Sequence, residues 1–61
     1  MNHQAFLDGC AVGKRRGGDI DKLKKAVADC ENMGWEYLKA YFLGQIEGVK
    51  DGEKPDSAGN G

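Results

Sequence analysis

The chain has 61 residues, one proline, ten glycines and a formal net charge of −1. That length holds one domain with a marginal core, because so small a domain buries only about 60% of its unfolded surface. No apolar run reaches the ~18 residues of a membrane span, and MNHQAFLDGC lacks the charged and apolar regions of a secretory leader. The expected setting is a reducing cytoplasm, away from membranes.

The first element is expected over about Asn2–Val12. Phe6, Leu7, Cys10 and Ala11 fall on one helical face. Within AFLDGCAVG, residues 5–13, the pair Gly9 and Gly13 interrupts a helix that would rather hold alanine. Ala5, Gly9 and Gly13 lie four apart and form a smooth strip. GKRRGG, residues 13–18, then reads as a glycine turn.

Asp19 is the expected N-cap of the next element, with Asp21 favouring its dipole. From Ile20 a single 3.6-residue pattern runs through Leu23, Val27, Cys30, Gly34, Leu38, Phe42, Ile46 and Val49. Its phase survives Gly34, which predicts one long amphipathic helix. The alternative is a corner, with Asn32-Met33-Gly34 as a C-terminal cap. AYFLGQIEG, residues 40–48, carries a second smooth strip, Ala40, Gly44 and Gly48.

The fold expected is therefore all-α. It is a helical hairpin of short helix, basic glycine-rich turn and long helix, completed by homodimerisation; the alternative is a three-helix monomer with a corner at Gly34. The domain is placed at residues 1–50. Residues 51–61 have no large apolar side chain and read as a disordered polar tail.

In the hairpin the long helix overhangs its partner. Trp35, Leu38, Tyr41, Phe42, Gly44, Ile46 and Val49 then form an apolar face for a second copy or another protein. C2 pairing is the commonest cover for such a face. Four of the five aromatics lie within residues 35–42, a density that suits an interface.

Charge is segregated. Residues 14–25 carry six cations against two carboxylates, for +4, and residues 26–61 carry −4. Lys14, Arg15, Arg16, Lys22, Lys24 and Lys25 make a basic turn suited to phosphate, nucleic acid or an acidic protein patch. The spacing is not that of a phosphate-binding loop, and no strand precedes it.

Catalysis is not expected, since the carboxylates are scattered and Ser57 is the only serine. Cys10 and Cys30 read as free thiols on apolar faces. With one histidine and no C-x-x-C, no metal or other cofactor is expected.

AFLDGCAVGKRRGG resembles the first helix of the ribosome modulation factor family, and YFLG, residues 41–44, resembles its second helix. The likeness covers about a third of the chain. The Cys-Pro-Tyr segment of that family is missing, and this chain is acidic where the family is basic. The resemblance implies ribosome or RNA binding.

The function expected is therefore non-catalytic binding of another macromolecule, as an inhibitor, adaptor or regulator of the bacterial or phage accessory kind. A protein is the first partner considered, and nucleic acid or the ribosome, met through residues 14–25, the second.

Overall fold

A computed structural model describes residues 2–53. It is all-helical, with α1 at His3–Arg16, α2 at Ile20–Met33 and α3 at Glu36–Glu53. Of the tail expected over 51–61, residues 51–53 are the end of α3 and residues 54–61 lie outside the described residues.

α1 starts where Asn2 caps it, its side chain accepting from the Ala5 N–H at 3.1 Å. It does not stop at Val12. Gly13, Lys14, Arg15 and Arg16 continue it, and the turn is only Gly17-Gly18-Asp19. The extension has two causes. Gly13 packs closely against α3, and three cations in the last turn suit the negative end of the helix dipole. Gly17, at φ 73°, then leaves the helix by a conformation that L side chains rarely adopt.

Asp19 caps α2 as expected, accepting from the N–H groups of Asp21 at 3.0 Å and Lys22 at 3.4 Å.

The continuous helix expected from Ile20 to Val49 is broken at Gly34, which sits in the left-handed region at φ 77°, ψ 21°. The Gly34 N–H donates to the Glu31 carbonyl at 3.2 Å, and the Trp35 N–H to the Cys30 carbonyl at 2.9 Å. This is a Schellman ending, which satisfies the last carbonyls of α2. The Trp35 carbonyl then accepts the first bond of α3, from the Lys39 N–H.

The break turns α3 back along the molecule. α1 and α2 both pack on α3 and not on each other. Phe6 lies beside Gly44 and Cys10 beside Gly48, so α1 and α3 run parallel. Gly18 at the start of α2 lies near Val49, so α2 runs antiparallel to α3. The overhang expected of a continuous helix is therefore not formed.

The two smooth strips meet each other. A methyl on Gly9 would strike the Tyr41 carbonyl oxygen, and one on Gly13 that of Gln45. Reciprocally, Gly44 faces the Phe6 carbonyl oxygen and Gly48 that of Cys10. Cα–H groups thus lie against carbonyl oxygens, contacts worth ~0.5–1 kcal/mol each.

This packing decides which face of α1 is buried. Ala5, Gly9 and Gly13 are buried, while Phe6 and Cys10 flank the contact. Leu7 and Ala11, expected on the core face, are exposed. The remaining core is Cys30, Ala40, Ile46 and Val49, with Val49 the largest fully buried side chain. α3 also runs three residues past the boundary expected at 50/51. Asp51 there receives Lys14 at 3.1 Å, a surface pair worth about 0–1 kcal/mol.

Candidate functional site

The residues expected to meet partners separate into two groups at opposite ends of the molecule. The first is the corner joining α2 to α3. The Schellman ending forces the chain to turn within two residues, so the side chains around it cannot all face the core. Met33, Trp35, Tyr37 and Leu38 are 60%, 50%, 55% and 38% exposed. Trp35, Tyr37 and Leu38 line a shallow apolar depression with Glu36. Lys39 reaches back across the corner to Glu31 at 3.6 Å.

Only Trp35 and Leu38 of the expected apolar face are exposed. Tyr41 and Phe42 are half-buried, with ring centroids 6.0 Å apart and planes tilted by 59°. Gly44, Ile46 and Val49 are buried inside the chain. Met33 and Tyr37 join the exposed patch instead. Their signal was the corner itself, since residues beside a left-handed glycine leave the helical phase.

The second group is the basic end. Lys14, Arg15 and Arg16 occupy the last turn of α1, and Lys22, Lys24 and Lys25 the first two turns of α2. All six are exposed. Lys14 points away from its neighbours to pair with Asp51, beside a wide groove floored by Phe6, Leu7, Cys10 and Leu43. Arg15 and Arg16 instead line a cleft of about 400 Å³ with Val12 and Tyr41. Tyr41 was expected on the apolar face and lies beside the arginines because its segment of α3 packs on Gly9.

Among the described residues no three His, Cys, Asp or Glu side chains gather into a set able to hold a metal. Cys30 is buried and Cys10 half-buried, both as free thiols. No described helix is long and apolar enough to cross a membrane.

The chain matches no protein-family model, no curated protein and no solved structure.

Proposed function

We propose that this chain is a non-catalytic binding protein that docks its α2–α3 corner on another protein, as an inhibitor, adaptor or regulator. The observation that carries the reading is the exposure of Met33, Trp35, Tyr37 and Leu38 within six residues of sequence. Burying such a side chain is worth about 1.5–3 kcal/mol. Grouped exposure of this kind marks interaction surfaces. Met and aromatic residues are also the types enriched in interface centres.

A second copy of the chain is a partner of this kind, because a two-fold axis brings a patch against itself. The expected homodimer is thus carried by the exposed corner instead of by an overhanging helix. The reading belongs to a cytoplasmic setting, in which Cys10 and Cys30 stay reduced.

The test pairs light scattering at micromolar concentration with capture from a cell extract, before and after nuclease. Wild type is compared with Trp35→Ala/Leu38→Ala. We expect a dimer mass or a nuclease-resistant protein partner for wild type. The variant should lose it by tenfold or more while keeping its helicity and melting temperature. A monomer that captures no protein, or a partner that binds the variant equally, would overturn the reading.

A further inference from the structure

We propose that the cleft between α1 and α3 binds single-stranded nucleic acid, with a base on the Tyr41 ring and flanking phosphates on Arg15 and Arg16. This site shares no lining residue with the corner and does not depend on the role given to it.

The cleft lies where the last turns of α1 pass the Tyr41 segment of α3. Its walls hold Val12, Arg15, Arg16 and Tyr41 in a space of about 400 Å³, the size of a small-molecule site. Helix dipole explains why cations end α1, but it does not explain an aromatic ring beside them. Among the described residues neither arginine pairs with a carboxylate, whereas Lys14 and Lys39 both do. Among those residues no carboxylate competes with an incoming anion for the two guanidinium groups.

The surrounding field has the same sign. Between residues 15 and 25 five cations face Asp19 and Asp21, for a local charge of +3. Asp19 is further engaged in capping α2. An approaching polyanion thus meets net positive charge at this end, and the carboxylates of Asp29, Glu31 and Glu36 lie toward the other.

Ring and charge together select the ligand. A positively charged groove with an aromatic platform is the arrangement that binds single strands, since every base has a face to stack. Duplex keeps its bases stacked inside and offers Tyr41 nothing. An acidic peptide satisfies the arginines but leaves the ring unused. Tyr41 is half-buried and lines the cleft, with the Phe42 ring 6.0 Å from its own.

The test is fluorescence anisotropy of a labelled 12-residue oligouridylate, with a duplex of equal length and an oligoglutamate peptide as competitors, at several salt concentrations. Wild type should bind the single strand and prefer it to both competitors. Tyr41→Ala should weaken binding about 5- to 150-fold, the loss of one stacked base, and Tyr41→Phe should restore it. Arg15→Gln/Arg16→Gln should lower the slope of log affinity against log salt by about 1.4. Trp35→Ala/Leu38→Ala should leave the titration unchanged. Circular dichroism melts confirm that each variant is folded. No binding by wild type at low salt, or duplex or oligoglutamate bound as tightly with Tyr41→Ala indifferent, would overturn the proposal.

Discussion

A glycine inside a helix costs about 1 kcal/mol relative to alanine, so replacing it normally stabilises. Gly44 reverses that rule, because a methyl there would meet the backbone of Phe6 and Cys10, which cannot rotate aside. Overpacking of this kind costs about 1–3 kcal/mol. Gly52 keeps the ordinary rule: its methyl would rest 3.5 Å from the Lys14 carbonyl oxygen, a normal contact. Gly44→Ala should therefore lower the melting temperature by several degrees or more, at about 4–8 °C per kcal/mol for a small domain. Gly52→Ala should leave it unchanged or raise it. Thermal melts read by circular dichroism check both. Equal effects of the two substitutions would mean that the glycine strip touches nothing.

At the scale of elements, the corner rests on one backbone conformation. No atom outside its chain neighbours lies within 4 Å of a methyl added to Gly34, so Gly34→Ala isolates the cost of the left-handed turn. That cost is about 1–2 kcal/mol, and a thermal melt should show it as a lowered midpoint. The corner also shows what the sequence leaves hidden. α2 with its Asp19 cap, the helical character of α1 and the two smooth strips are all legible in residue types and spacing. The break at Gly34 is legible only as an alternative, through the Asn32-Met33-Gly34 cap, and the spacing does not select it. Cys30, Gly34 and Leu38 step by four in the sequence, although only Cys30 of the three is buried. Periodicity is blind to a break when the apolar count in the sequence runs on across it. The extension of α1 through Lys14-Arg15-Arg16 is hidden for another reason. Gly13 reads as a turn residue until its packing partner is known.

The whole molecule follows from which strip meets which. If the long helix were continuous, the Ala40–Gly44–Gly48 strip would need a second chain. With the corner closed, it meets Ala5–Gly9–Gly13 of its own chain, and the equal spacing of the two strips is the one sequence signal of that pairing. Neither exposed region was legible as a unit. The corner patch mixes residues in and out of the helical phase, and the cleft joins side chains 25 or more positions apart, Arg15 or Arg16 with Tyr41. The tight seam uses up the small residues and leaves the aromatic corner and the arginine-lined cleft uncovered, with no lining residue in common, which is why we assign them different partners.

The fold stands or falls on the two strips locking within one chain. Nuclear Overhauser spectroscopy on a mixture of isotope-labelled and unlabelled protein tests it most directly. We expect Gly9 α-protons to contact Tyr41 and Gln45, and Gly44 α-protons to contact Phe6 and Cys10. These contacts should be present in the labelled chain and absent from the spectrum filtered for contacts between chains. Their appearance in the filtered spectrum alone would mean that a second copy covers the strips. The three helices would then have to be reassembled across a dimer.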